Sequence, residues 1–224
     1  MLQYLLPILA VLIGAILVIF TRTKTYFNFK LLLAFSGAFL LALTLFELLP
    51  EVYHHLNAKA SGLYIMLGIL IQIILEFFSK GAEHGHVHHH NHENNFPWAL
   101  FISLCIHSFL EGFPIHEHND MVYGVLVHKI PIATVITSFL INSKCSKIQM
   151  GLFLSIFALM TPLGTYISNH MNIATAYITA INAVVIGIFL HISTTILFES
   201  GEGHKFNLTK LVAIVLGIAA AFMF

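Results

Sequence analysis

The sequence predicts an all-α polytopic membrane protein, and its composition and apolar runs support this class. Of its 224 residues, 58% are hydrophobic and 9% are charged, and the mean hydropathy is +0.89. Soluble domains carry about a quarter charged residues. Roughly eight apolar runs are long enough to cross a bilayer. Because the connections between them are short, we expect a single transmembrane domain over residues 1–224.

Each apolar run predicts one transmembrane helix. No basic region precedes the first run, so we expect it to be retained as a helix and not removed as a signal peptide. The predicted spans are Tyr4–Phe20, Leu31–Leu49, Ser61–Ser79, Phe96–Ile115, Met121–Ile141, Gln149–Ile167, Ala174–Phe198 and Leu208–Phe224.

Positive charge orients these helices. The even-numbered loops offer only Lys59, whereas all four odd-numbered loops carry lysine or arginine. Lysine and arginine accumulate in cytoplasmic loops, so the odd loops are predicted to be cytoplasmic and both termini extracytoplasmic. The residues of the odd loops are Arg22, Lys24, Lys30, Lys80, Lys144, Lys147, Lys205 and Lys210.

Charge and cysteine content exclude some functions. The formal net charge is 0, so nothing indicates nucleic acid as a partner. Cys105 and Cys145 lie in or beside apolar runs and are interpreted as small core residues, not as a disulfide. No motif indicates an organic cofactor.

Ionisable residues inside the fourth and fifth spans are the strongest functional signal. His107 and Glu111 are four residues apart, so they share one helix face, and His128-Lys129 lies in the next span, just before Pro131. Such groups are costly in hydrocarbon and usually functional. Histidine with carboxylate suits Zn²⁺ and its first-row neighbours. We therefore predict a divalent metal site at His107, Glu111 and His128.

A structural alternative remains open for this pair. His107 and Glu111 could form an interhelical hydrogen bond that only fixes helix packing. Lys129 would repel a cation next to it, so it is expected either to pair with Glu111 or another carboxylate or to extend to the interface. Either arrangement argues against a second metal beside the first.

The third loop, at about residues 80–95, is rich in histidine and too polar to pack. Histidine-rich tracts bind metals with little geometric demand. At its predicted cytoplasmic position the loop would capture or sense metal. Its histidines are His84, His86, His88, His89, His90 and His92.

Further ionisable residues flank the central site on both sides. The outer group would form a funnel into the site, with ordinary helix-end polarity as the alternative, and consists of Glu47, Glu51, His54, His116 and His118. The inner group would belong to the ion pathway or its exit, with an exposed charged loop as the alternative, and consists of His191, Glu199 and His204.

A weak internal repeat links the second and seventh spans. Gly37-Ala38-Phe39-Leu40 resembles Gly187-Ile188-Phe189-Leu190, and the predicted topology runs the two helices in opposite directions. An inverted-repeat transporter has this property, although chance similarity of four residues is an open alternative.

These residues together resemble the ZIP family of zinc and iron transporters, and the resemblance spans essentially the whole chain. A histidine-rich third loop and eight helices with both termini outside are usual in that family. The matching motifs are His107-Ser108-x-x-Glu111-Gly112, His128-Lys129-x-Pro131, Leu48-Leu49-Pro50-Glu51 and Gly187-x-Phe189-Leu190.

The resemblance implies a function and an arrangement. It implies metal ligands at His107, Glu111 and His128, and a 3+2+3 arrangement in which the first and last three helices are inverted repeats. It also implies transport toward the cytoplasm by elevator-like alternating access. The chain departs from the fullest family pattern at Ile132, where many members have a carboxylate, and at Ser108 and Lys129, where ligands of a second metal often stand. This departure predicts one metal ion per site.

Several alternatives stay open from sequence alone. Rival functions are a metal-dependent intramembrane hydrolase, which lacks the usual His-Glu-x-x-His motif, a membrane-anchored metal sensor or storage protein, and a metal exporter. The substrate is expected to be Zn²⁺, with Fe²⁺, Mn²⁺, Co²⁺ and Cd²⁺ as alternatives. We expect a multi-pass protein of the plasma (inner) membrane with lipid and divalent metal ions as partners, and the sequence leaves a homodimer open.

Overall fold

The computed structural model describes residues 1–21, 29–79, 81, 96–116, 120–143, 145–171, 173–199 and 208–224, with Thr21 and Glu199 described in their backbone only. Within these ranges every regular element is helical. The helices in chain order are α1 (Leu2–Thr21), α2 (Phe29–His55), α3 (Ala58–Ser79), α4 (Trp98–Leu110), α5 (Met121–Asn142), α6 (Lys147–His170), α7 (Thr175–Glu199) and α8 (Leu208–Phe222).

The predicted all-helical class is confirmed for the described residues, and their helices are consistent with a polytopic membrane protein. In the described ranges six helices, α1 to α3 and α5 to α7, are long and apolar enough to cross a membrane, and α4 and α8 are shorter apolar helices. Large apolar side chains cover the outer surface, as lipid contact requires, and two on α3 illustrate this: Leu63 is 69% and Phe77 is 78% exposed.

The fourth helix is shorter than predicted. The sequence predicted Phe96–Ile115, but α4 ends at Leu110 and residues 111–114 form turns. Pro114 causes this end, because in a continued helix its ring would clash with the carbonyl of Leu110. The N–H of Phe113 donates instead to Leu110 O at 3.1 Å. The last predicted turn of the helix is therefore irregular backbone beside the candidate site.

The second helix is longer than predicted and contains a π-helical turn. It continues past Leu49 to His55, through Pro50. Residues Thr44–Leu48 form the π-helical turn, and the N–H of Leu49 donates to Thr44 O. Because proline donates no hydrogen bond, the wider turn before it lets the helix pass Pro50 without ending.

The eight helices of the described residues pack as two bundles. We call α2, α3, α7 and α8 the frame bundle, since α3 packs along α7 and α2 packs along both α7 and α8. We call α1, α4, α5 and α6 the site bundle, since α1 packs along α5 and α6, and α4 packs along α6. The bundles meet where α2 contacts α5 and where α3 contacts α4.

Each bundle has its own apolar core, and α5 contributes to both. The first turns of α5, with Met121 and Val125, belong to the core that includes Phe39 and Phe189 of the frame bundle. Its later turns, from Ile132 onward, belong to the core of the site bundle. His128 lies between these two parts of α5, so the candidate site is at the junction of the cores.

Glycine permits direct backbone contact within each bundle. In the frame bundle a Cβ on Gly68 would lie 1.9 Å from Val184 O, and one on Gly187 would lie 2.0 Å from Ile65 O. In the site bundle a Cβ on Gly112 would lie 2.2 Å from Thr161 O. No larger side chain fits such contacts, and small residues of this kind bring membrane helices close together.

Candidate metal site

His107 and Glu111 lie together at the end of α4, as the four-residue spacing predicts. Glu111 is the C-terminal cap of α4, and its N–H donates to His107 O at 3.0 Å. His107 Nε2 lies 3.4 Å from Glu111 Oε2, and both side chains are 1% exposed. Two donors of this kind at this distance can share one metal ion, since Zn²⁺ binds nitrogen and oxygen at about 2.0–2.2 Å.

His128 of α5 faces the same place. It is fully buried, and its ring centroid lies 6.3 Å from that of His107 with the rings nearly perpendicular. The structure thus brings the three predicted ligands into one region. Within the described residues, however, no three histidine, cysteine, aspartate or glutamate side chains are close enough to hold a metal ion together. His128 must move toward the His107–Glu111 pair to complete a three-ligand site.

Lys129 occupies the position beside this pair. Its ammonium forms a buried salt bridge with Glu111 Oε1 and donates to Ser108 Oγ and, at 2.7 Å, to Thr161 Oγ1. The Nζ atom also lies 4.5 Å from the centroid of the Phe157 ring. Of the sequence-based alternatives for Lys129, the structure shows pairing with Glu111. The two carboxylate oxygens therefore face different groups, Oε1 the ammonium and Oε2 His107.

Thr161 of α6 is a site residue that the sequence reasoning missed. Its hydroxyl donates to Glu111 Oε1 at 2.6 Å and lies 3.1 Å from Ser108 Oγ. The side chains of Thr161 and Ser108 are fully buried. Together with the Lys129 salt bridge, these contacts hold the Glu111 carboxylate in one orientation, because they join it to α5 and α6 as well as to its own end of α4.

The same face of α6 binds the irregular backbone that follows α4. The residues at the end of a helix leave carbonyl oxygens without intrahelical partners, and here polar side chains of α6 supply the donors. The signal in the sequence was a polar stripe on an apolar helix, spaced three or four residues apart. Thr165 Oγ1 donates to Gly112 O at 2.9 Å, Ser168 Oγ to Phe113 O at 2.9 Å and Asn169 Nδ2 to Ile115 O at 3.2 Å.

The predicted outer group is partly assembled around the end of α2. Glu51 Oε1 lies 3.9 Å from His116 Nε2. Glu47, in the π-helical turn, accepts a hydrogen bond from the N–H of Asp120 at 3.2 Å. His54 is exposed, and its ring packs against that of His55 with centroids 5.0 Å apart. His118 lies outside the described residues.

Of the predicted inner group, only the side chain of His191 lies within the described residues. His191 Nε2 lies 2.6 Å from Glu76 Oε2 of α3, a residue that the sequence reasoning did not single out. The side chain of Glu199 and all of His204 lie outside the described residues, as do the loop histidines His84, His86, His88, His89, His90 and His92.

Comparison with known proteins supports the resemblance seen in the motifs. The sequence profile of the family described as ZIP Zinc transporter matches residues 81–224. A protein named Zinc transporter ZIP1 from Danio rerio is 32% identical over 88 residues, which cover 37% of this chain and 29% of that protein. A protein of the same name from Plasmodium falciparum (isolate 3D7) is 33% identical over 134 residues, 55% of this chain and 37% of that protein. The alignments thus span about a third of each relative's length.

Proposed function

This chain belongs to the ZIP zinc transporter family, and from that premise we propose that it moves divalent metal ions across a membrane through a site formed by His107, Glu111 and His128. The observation that carries the proposal is the fully buried His107–Glu111 pair, with 3.4 Å between Nε2 and Oε2. Zn²⁺ is the substrate that the donor set and the relatives' names favour. Fe²⁺, Mn²⁺, Co²⁺ and Cd²⁺ accept the same donors.

The site takes one metal ion at a time. Glu111 Oε2 and His107 Nε2 would bind the ion first, and a rotation of His128 would complete the set. Lys129 holds the other oxygen of Glu111. Because like charges repel strongly in a buried site, its ammonium excludes a second divalent ion from the adjoining position.

The two bundles suggest how the ion crosses. Every residue of the central site (His107, Glu111, His128, Lys129 and Thr161) belongs to the site bundle. That bundle could therefore carry the ion as one body against the frame bundle, which is elevator-like alternating access. The family resemblance favours movement of the metal toward the cytoplasm, and both termini would lie outside.

The helix contacts support an inverted-repeat arrangement. A 3+2+3 repeat relates α1–α3 to α6–α8 and α4 to α5. Contact of α1 with α5 then corresponds to contact of α6 with α4, and contact of α2 with α8 corresponds to contact of α7 with α3. All four contacts occur in the structure, and the similar motifs at Gly37 and Gly187 lie on the corresponding helices α2 and α7.

The remaining features complete the proposal. Residues 1–224 form one transmembrane domain in the plasma membrane, and the histidine-rich loop at about 80–95 is cytoplasmic and accessory. A homodimer is compatible with this scheme. A membrane-anchored sensor or storage protein would leave the buried site unexplained. A hydrolase needs a free general base, whereas Glu111 is held by Lys129 and Thr161.

Uptake of radioactive Zn²⁺ into proteoliposomes tests the proposal. We expect His107→Ala and Glu111→Ala to abolish uptake, and a variant with serine at the six loop histidines to keep most of it. His170→Gln, which changes an exposed histidine at the end of α6, is the control. Normal transport by both site variants would refute the proposal and leave His107 and Glu111 as a packing contact.

A further inference from the structure

Lys129 is the buried cation of the central site, and metal ligation alone does not require it. Its side chain and that of Glu111 are each 1% exposed, and the two form a salt bridge. We propose that the Lys129 ammonium balances the charge of Glu111 after the metal ion leaves, so that the empty site returns across the membrane without a co-transported proton or other counter-ion. This inference rests on the proposed function, because it concerns the return half of the same transport cycle.

The charges of the empty site cancel. Among the described residues of the site bundle, the buried side chains with a full charge are Glu111 and Lys129, one of each sign. His107 and His128 enter as neutral imidazoles, the form that binds metal. The site therefore has no net charge when empty and two positive charges when a divalent ion is bound. Without Lys129 the empty site would contain an unpaired carboxylate, which is strongly unfavourable in a buried position.

The ammonium is held apart from the position of the metal ion. Lys129 contacts Glu111 through Oε1, whereas Oε2 lies 3.4 Å from His107 Nε2. The Nζ atom also donates to Ser108 Oγ and, at 2.7 Å, to Thr161 Oγ1. The metal ion can therefore bind at Oε2 and leave again while the ammonium stays on Oε1.

Every group that holds the ammonium belongs to the site bundle. Ser108 lies on α4, and α6 contributes Thr161 and also Phe157, whose ring centroid is 4.5 Å from Nζ. A carrier crosses the membrane loaded in one direction and empty in the other, so its buried carboxylate needs a cation in both. A lysine fixed to the same bundle supplies that cation in every state. A proton would have to bind and dissociate once in each cycle.

The charge moved with each metal ion tests the proposal in the parent protein. Proteoliposomes with equal pH on both sides are held at a potential set by K⁺ and valinomycin, and radioactive Zn²⁺ is followed to equilibrium. Two charges per ion give about hundredfold accumulation for each step of about 59 mV. Accumulation of about tenfold or less would show that a cation returns with the empty site and would overturn the inference. This equilibrium ratio does not depend on how much of the protein is active.

Removing the ammonium separates the two halves of the cycle. In Lys129→Met the loaded site still crosses, so exchange of radioactive for unlabelled Zn²⁺ should continue. Net uptake requires return of the empty site and should fall at least about tenfold relative to exchange. Lys129→Arg keeps a charged side chain and should lie close to the parent ratio. Because both rates come from the same vesicles, their ratio does not depend on how much of the variant folds.

A matched control lies on the same helix. Thr134→Val removes a hydroxyl that donates to Ile130 O within α5, and it should keep the parent ratio of net uptake to exchange. A parent-like ratio in Lys129→Met as well would overturn the inference. If His107→Ala and Glu111→Ala transport normally, the proposed function fails and the role of Lys129 fails with it. If those variants lose uptake but the parent moves fewer than two charges per ion, only the role of Lys129 fails.

Discussion

The two bundles contain different kinds of buried polar groups. In the site bundle, charged and titratable side chains are fully buried, among them His107, Glu111, His128 and Lys129. Among the described residues of the frame bundle, the buried polar side chains are all uncharged: Ser36, Thr44, Ser61, Gln72, Ser79, Thr179, Asn182 and Ser193. The cost of burying charge in a membrane is thus concentrated in the bundle that carries the candidate site.

The threonine hydroxyl groups of the two bundles also differ, in the groups to which they donate hydrogen bonds. In the frame bundle Thr44 and Thr179 donate to carbonyl oxygens one turn back on their own helices, which is a common habit of threonine in membrane helices. In the site bundle Thr161 and Thr165 donate to the end of α4. The two frame-bundle threonines thus donate to their own helices, whereas Thr161 and Thr165 also position the binding site. Thr134 of the site bundle resembles the frame-bundle threonines, since it donates to Ile130 O of its own helix.

The largest expected effect is loss of the buried cation. Lys129→Met leaves the Glu111 carboxylate without its ion pair, and we expect about 3–5 kcal/mol of destabilisation in metal-free protein. Thermal unfolding in detergent measures it. Lys129→Met/Glu111→Gln should recover most of the stability without recovering Zn²⁺ uptake. A single variant as stable as the parent would contradict the buried ion pair.

A smaller effect is expected from widening the frame bundle. In Gly68→Ala the new Cβ would lie 1.9 Å from Val184 O, so α3 and α7 must separate, at a cost of about 3 kcal/mol. The control is Gly62→Ala on the same helix, where a Cβ meets nothing within 4 Å. The control should match the parent or unfold at a slightly higher temperature, because alanine favours helix. Equal unfolding temperatures for the two variants would contradict the close contact.

The contrast between hydroxyl groups predicts a smaller difference. Thr161→Val removes a hydrogen bond to a buried carboxylate and should cost about 2 kcal/mol, together with weaker Zn²⁺ binding. Thr179→Val removes only a bond to its own helix and should change stability by less than about 0.5 kcal/mol. Unfolding and Zn²⁺ titration of both variants measure this. Similar effects would show that the bundles do not differ in this respect.

The smallest expected effect is the response to pH. Metal binding needs neutral imidazole, so protons compete with Zn²⁺ for the histidine ligands. The half-saturating Zn²⁺ concentration of uptake should therefore rise as the pH is lowered from 7.5 to 5.5. His170→Gln should keep the parent profile. A half-saturating concentration that stays flat from pH 7.5 to 5.5 would count against histidine ligation.

The sequence by itself determined the helices and pointed to the central residues. Apolar runs long enough to span a bilayer predicted each of the eight helices in the described part of the chain, because hydrocarbon admits few charges. The same rule marked His107, Glu111 and His128 as exceptional, and the four-residue spacing placed the first two on one face. Pro114 and Pro50 were visible in the sequence. The sequence did not show that α4 ends before Pro114 or that a π-helical turn precedes Pro50. These outcomes depend on which backbone N–H and carbonyl groups form hydrogen bonds in the fold.

Only the tertiary structure decided which groups meet. Three sets of contacts join different helices, and the sequence alone did not decide them. Lys129 pairs with Glu111, Thr161 and Thr165 donate to the end of α4, and His191 pairs with Glu76. The physical reason is that lipid is as apolar as a protein core, so the hydrophobic pattern of a membrane helix does not mark the face that packs. The fold selects that face by close contact and by the pairing of the few polar groups.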